Sequence, residues 1–209
     1  MKTFVAFVAA LVVMVSMAWA DVHYEFHCTG SGNMVINNDP VYSGQIDGGD
    51  LAPGLWWIEI NDDGWPDASD PQARWAYIWT NYYIYDAGSW LWTANFTGCI
   101  LDLEKTGAGT MHGTCDMTFQ IMDNGNGVLD PEECMDGLSG AVIIIEDGTG
   151  AYAHLCGDGT YQGWYMRDCV EGSETWMDDN MGFDMYLDLY ECGMATDAST
   201  WSAVKALFR

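Results

Sequence analysis

The sequence predicts an all-β fold: an antiparallel β-barrel of about eight strands, with long acidic loops and a short C-terminal helix. Three observations point there. Short segments in which apolar and polar residues alternate recur along the chain, separated by Gly-, Asn- and Asp-rich turns. Aromatic residues make up 14% of the chain, and alternating aromatics suit a half-buried pleated surface. Glycines recur inside strand-like runs, where closing a barrel demands hard bends.

Val22, Tyr24, Phe26 and Cys28 alternate with His23, Glu25 and His27, which predicts a first strand. Further strands are expected at Asn33–Asn37, Tyr42–Ile46 and Leu55–Ile60, with a Gly/Asp/Pro loop from Asp47 to Gly54. Between Arg74 and Phe96, Trp75, Tyr77 and Trp79 alternate, and Tyr83 and Tyr85 follow. Asp86-Ala-Gly-Ser89 then reads as a turn before Trp90, Trp92 and Phe96. This predicts an aromatic hairpin held by cross-strand ring pairs. A second hairpin, Cys99–Lys105 and Thr110–Ile121, turns at Thr106-Gly-Ala-Gly109. Centring that turn on Gly107 sets Cys99 opposite Cys115, and a disulfide is expected there.

Strands are also expected at Ala141–Glu146, Thr160–Met166 and Met181–Cys192. Asp197-Ala-Ser-Thr200 caps a terminal helix of about 199–208, in which Trp201, Val204, Lys205 and Phe208 fall at i, i+3, i+4 and i+7. Gly107-Ala-Gly-Thr-Met-His-Gly113 and Gly157-Asp-Gly-Thr-Tyr-Gln-Gly163 share G-x-G-T-x-x-G, with Gly30-Ser-Gly32 a worn third copy. The motif enters a strand, not a helix, so it marks bends and bulges instead of a dinucleotide site.

Lys2, an apolar run from Phe4 to Met17 and Ala18-Trp19-Ala20 form the pattern of a secretory signal peptide cleaved before Asp21. The chain is thus expected to be secreted or periplasmic, with residues 21–209 forming one domain. The mature part would carry all 31 Asp and Glu and five Lys or Arg, a net charge of 5 − 31 = −26. Such a field repels nucleic acid and anionic membrane and attracts cations. No later stretch is long and apolar enough to insert in a membrane. The seven cysteines fall after the leader and read as disulfides with one left over. The absence of C-x-x-C argues against a zinc ribbon or a thioredoxin-like site.

Two acidic segments have the oxygen spacing of calcium loops, where a hard cation takes ligands from alternate positions. In the first, Glu59, Asn61, Asp63, Gly64, Asp67 and Asp70 stand at positions 1, 3, 5, 6, 9 and 12. With Asp62 this turn gathers five carboxylates, whose mutual repulsion favours a counterion such as Ca2+. In the second, Asn124, Asn126, Gly127, Asp130 and Glu133 take positions 3, 5, 6, 9 and 12, with Met122 where Asp is usual. Asp123 is displaced by one.

Asp21-Val22-His23 at the new N-terminus has the donor set for Cu2+ or Ni2+ in a square plane. Trp75, Trp79, Trp90 and Trp92 are candidates to line a ligand site; the ordinary alternative for each is core. His112 and His154 are isolated, and no catalytic constellation stands out.

Glu146-Asp-Gly-Thr-Gly-Ala-Tyr-Ala-His-Leu-Cys-Gly-Asp-Gly-Thr-Tyr-Gln-Gly163 resembles the G-G-T-G-x-[FY]-x(4)-G-x-G-x-[FY]-x-G stretch of allene oxide cyclase-like and dirigent-like proteins, with Asp147 in place of the first Gly. The resemblance implies an eight-stranded antiparallel barrel with a central apolar cavity, and transfers no catalytic residue. The 122–133 loop resembles an EF-hand loop. Gly125–Gly137 resembles the core of bacterial Cys-rich extracellular repeats, and both likenesses imply an acidic loop that holds a cation.

The expectation is therefore a secreted, calcium-binding, disulfide-linked barrel with a binding or structural role, its partner an apolar or sugar-like ligand. A cyclase- or isomerase-type enzyme predicts instead a cavity lined by Trp and Tyr with one buried polar group. A carbohydrate-binding module predicts a flat exposed row of aromatics.

Overall fold

The computed structural model describes residues 22–32, 41–62, 64–67, 69–127, 135–144, 147–167 and 179–192. The expected leader with Asp21, the Asn33–Asn37 strand, Asp63, Asp130, Glu133 and the terminal helix lie outside them.

Nine strands form one antiparallel sheet: β1 (Val22–Gly32), β2 (Val41–Gly49), β3 (Gly54–Glu59), β4 (Tyr83–Asp86), β5 (Leu91–Lys105), β6 (Gly109–Met122), β7 (Met135–Ile144), β8 (Leu155–Arg167) and β9 (Asp179–Glu191). The order is β3-β2-β1-β9-β8-β7-β6-β5, and β3 pairs again with β5, closing an eight-stranded barrel. β3 holds the Ile100–Lys105 half of β5, whereas β4 pairs with Leu91–Ala94 of the other half. A register shift between Phe96 and Cys99 separates the halves, with Gly98 at φ 66°. That bulge lets one strand serve both the closed barrel and the β4 flap.

Alternation explains the strand faces. In β9, Met181, Phe183, Met185, Leu187 and Leu189 point inward and are all but solvent-free, while Asp184, Tyr186, Asp188 and Tyr190 point out. In β8 the inward positions are Gly157, Gly159, Tyr161 and Gly163, so the glycine motif falls on the core face. A Cβ at Gly157 or Gly159 would meet both the carbonyl of the neighbouring strand and the Leu189 or Leu187 side chain. Glycine there lets β9 lie close enough to fill the interior.

The lumen is packed with Trp56, Tyr42, Tyr161, Phe26, Phe96, Phe119 and Phe183, each under 2% exposed. Rings meet edge-on or tilted at 5–6 Å, as in Trp56–Phe183 (5.0 Å) and Phe96–Phe119 (5.7 Å). Met111, Met117, Met181 and Met185 fill the gaps between them.

Two expectations need correction. Trp75, Tyr77 and Trp79 do not form a strand: Pro71–Tyr82 is a helix, α1. Asp70 accepts from the Ala73 N–H at 3.0 Å as N-cap, and Pro71 starts the first turn. Arg74 and Ile78, one turn apart, are buried on its inner face. The alternation of aromatic and aliphatic residues over 75–79 coexists with this 3.6-period face, and the cap decides between them. Only the Tyr83–Asp86 and Leu91 arms of the expected hairpin remain extended.

Cys99 does sit directly opposite Cys115, around the expected turn, but both are free buried thiols joined by a hydrogen bond and not by a disulfide. That hydrogen bond and burial push the Cys115 thiol far up. Among the described residues a disulfide links Cys156 to Cys192, with Cα atoms 5.0 Å apart, tying the start of β8 to the end of β9.

Candidate functional site

The first acidic loop leads from β3 into α1. Three of its four described carboxylates, Asp62, Asp67 and Asp70, already have partners. Asp62 accepts from the Gly64 N–H (2.8 Å) and from the Tyr77 (2.8 Å) and Tyr82 hydroxyls. Burial raises its pKa, but the bonds from Tyr82, Gly64 and Tyr77 outweigh that and hold the carboxyl below the usual range. The Tyr82 hydroxyl is pushed up by burial and by Asp62. Asp67 accepts from the Ser69 N–H (2.8 Å), and Asp70 caps α1. Trp65 stacks on Tyr82, with centroids 6.1 Å apart, and the buried Arg74 guanidinium lies 5.8 Å from its ring. The loop is thus pinned to the helix through Asp62, a residue outside the expected ligand set of Glu59, Asn61, Asp63, Asp67 and Asp70.

The second loop follows β6, and its centre is Asp123, 2% exposed. Oδ1 accepts from the N–H groups of Gly125 (2.6 Å) and Gly127 (3.1 Å) and from Tyr85 Oη (3.3 Å). Oδ2 accepts from Trp92 Nε1 at 3.0 Å. Burial raises the pKa, yet these four donors prevail and keep it below the usual carboxylate range. Asn124 Oδ1 accepts from the Asn126 N–H at 3.2 Å, so both asparagines belong to the turn. The residue displaced by one from calcium-loop register is therefore the one that organises the turn. The D-x-G-x-G spacing was its signal.

No three His, Cys, Asp or Glu side chains converge on a common point among the described residues. The expected aromatic site is not assembled as one surface either. Trp92 is 8% exposed and stacks on Tyr85 at 4.5 Å; Trp90 is 54% exposed and covers Gly125. Trp75 and Trp79 are one turn apart on α1, with side chains outside the described residues. His23 lies in β1, where its Nδ1 is 2.8 Å from Asp188 Oδ1. That bond occupies the nitrogen nearest the backbone, which a copper site at the N-terminus would need.

His23 is one of three histidines built alike. His27 Nδ1 is 2.7 Å from Asp184 Oδ1, and His112 Nδ1 is 2.7 Å from Asp102 Oδ1, each pair crossing between neighbouring strands. The hydrogen bond that His112 donates to Asp102 raises the His112 pKa against the lowering effect of burial, with help from the charges of Asp102 and Asp147.

The His23 and His27 pairs share the outer face of β1, β9 and β8 with three exposed rings: Trp164 (42%), Tyr186 (37%) and Tyr190 (36%). Trp164 lies opposite Gly182, whose missing Cβ would fall 2.7 Å from the indole Nε1 and Cε2, so its ring lies over β9. Along β9 the face therefore reads ring, Asp184, Tyr186, Asp188, Tyr190. The period-2 pattern of Met181–Cys192 contained this row: the alternation that turns a wholly apolar set inward turns Asp184, Tyr186, Asp188 and Tyr190 outward. Compared with known proteins, the chain matches no family model, no curated protein and no solved structure.

Proposed function

We propose that this is a secreted, non-catalytic binding protein that meets a sugar-like ligand on the outside of its barrel, with Ca2+ steadying its acidic loops. The filled interior carries the choice of binding over catalysis. A cyclase or isomerase needs a lumen for its substrate, and the lumen positions here hold Trp56, Tyr42, Tyr161 and four phenylalanines packed on one another. The buried polar group best placed for chemistry, the Tyr161 hydroxyl, donates to the Asp116 carbonyl at 2.7 Å and so serves the fold. The same packing disfavours an apolar ligand inside. Exposed rings beside carboxylates favour a sugar outside.

Export is supported by the N-terminal charged-apolar-small pattern and is compatible with the Cys156–Cys192 bridge. Calcium is supported by the carboxylate crowding at 59–70. Because Asp67 and Asp70 already accept hydrogen bonds, an ion there takes their remaining lone pairs. A thermal melt in millimolar CaCl2 and in excess chelator tests this. Ligand-linked stability follows RT ln(1 + [L]/Kd), about 2.7 kcal/mol at a hundredfold excess over Kd. Coincident melts would remove calcium from the reading. Retention on polysaccharide beads tests the ligand class, and binding of an apolar dye by the native protein in place of beads would reverse it.

A further inference from the structure

We propose that the outer face of β1, β9 and β8 binds an extended amino-sugar polymer, its rings stacking on Trp164, Tyr186 and Tyr190 and its ammonium groups meeting the intervening carboxylates. This rests on the sugar-binding reading and names its site and substrate class.

The geometry is linear. Side chains two residues apart on one strand face stand about 6.7 Å apart, so the rings over Gly182, at Tyr186 and at Tyr190 repeat at about 13 Å. Between them stand Asp184 and Asp188, both exposed. The row is widened by Gln162 of β8 opposite Asp184 and by Thr160 opposite Tyr186. Asp158 stands opposite Asp188, and Glu25 of β1 lies opposite Tyr186. The outward positions of β9 alternate carboxylates with rings. Here three of the four exposed aromatic side chains among the described residues fall in one line.

Charge selects the occupant. Glu25, Asp158, Asp184 and Asp188 share the face with His23 and His27, which are held by Asp188 and Asp184. Asp158 and Asp188 directly oppose one another across β8 and β9 and repel. An anionic glycan is excluded by this field. A polymer with a protonated amine on each ring supplies the missing cations, and an ammonium over an exposed aromatic face gains a further attraction. The sugar ring supplies an apolar face for stacking, which a simple polyamine lacks.

The test is retention of the purified protein on beads of deacetylated polyglucosamine in 0.5 M NaCl, where long-range attraction is screened. Fully N-acetylated beads and neutral glucan beads run in parallel. Trp164→Ala and Tyr186→Ala leave the net charge unchanged, and a thermal melt confirms that each variant folds. We expect retention of the wild type on the deacetylated beads, a tenfold or greater loss in either variant, and recovery in Tyr186→Phe. Trp90→Ala, which removes an exposed ring elsewhere, should bind normally. Equal retention of wild type and variants would reduce the binding to bulk charge and overturn the proposal. Retention on neutral or acetylated beads that ignores both variants would overturn this face while leaving a sugar-binding protein. Retention only on neutral beads, lost in the variants, would keep the face and overturn the amine assignment. No retention on any bead would remove the site and the sugar-binding reading together.

Discussion

Asp123 is a carboxylate with four hydrogen-bond donors and almost no contact with water. Its neighbours explain why it stays ionised: the cost of burial is met by two glycine N–H groups, an indole and a phenol. Protonation would spoil this arrangement, because a carboxylic acid brings a donor into a site already made of donors. Since the folded pKa lies below the unfolded value near 4, the ionised group adds stability above that value. The contribution is lost as pH falls through the folded pKa. Asp123→Asn should lower Tm at pH 7 by roughly 5 °C or more, since one amide face turns donors toward Trp92 or the turn. The gap between wild type and variant should then narrow below about pH 4. Melts of both proteins from pH 7 to pH 2.5 measure this; parallel curves through the whole range would refute the assigned role.

α1 shows what an element needs beyond its periodicity. Asp70 and Pro71 are an N-cap and first-turn pair, and Arg74 and Ile78 form the inner stripe. Asp70→Ala should cost about 1 kcal/mol in urea denaturation, and Asp70→Ser should restore most of it. If Asp70 acts mainly as a calcium ligand, serine will not rescue and the loss will vanish in chelator.

The strands were legible where burial divides two faces: β1, β3, β6 and β9 lie within a few residues of the expected strands, β8 extends its expected Thr160–Met166 back to Leu155, and the Cys99–Cys115 register followed from one glycine turn. The aromatic run at 75–79 was not legible. Five residues cannot distinguish period 2 from period 3.6, and the deciding Asp-Pro cap lay in a segment read as metal ligands. The same competition hid Asp62 and Asp123. Short acidic side chains in Gly-rich turns bind backbone N–H groups as readily as they bind cations, so spacing alone could not separate the roles. The outer row of β9 was present in the sequence as Asp184, Tyr186, Asp188 and Tyr190. It gained meaning only when the sheet order set β1 histidines and Trp164 beside it.

At the scale of the whole molecule, the charge of −25 sets a term that no single contact controls. Two of the few cations are committed: Arg74 is buried by Trp65, and Lys105 Nζ donates to the Asp50 carbonyl. Many carboxylates, among them those facing outward on β9, therefore sit in a surface field that self-repulsion makes unfavourable for compactness. NaCl shortens the screening length from about 10 Å at 0.1 M to about 3 Å at 1 M, so Tm should climb by several degrees across that range. Calcium at the acidic loops would act differently. It should saturate with concentration, and it should raise Tm even when NaCl is reduced to hold ionic strength constant. Melts along the two series, with MgCl2 as a third at matched ionic strength, separate the effects. Equal slopes for calcium and magnesium would assign the acidic loops to general screening. A calcium-specific rise that saturates would assign them to an ion site superimposed on the field.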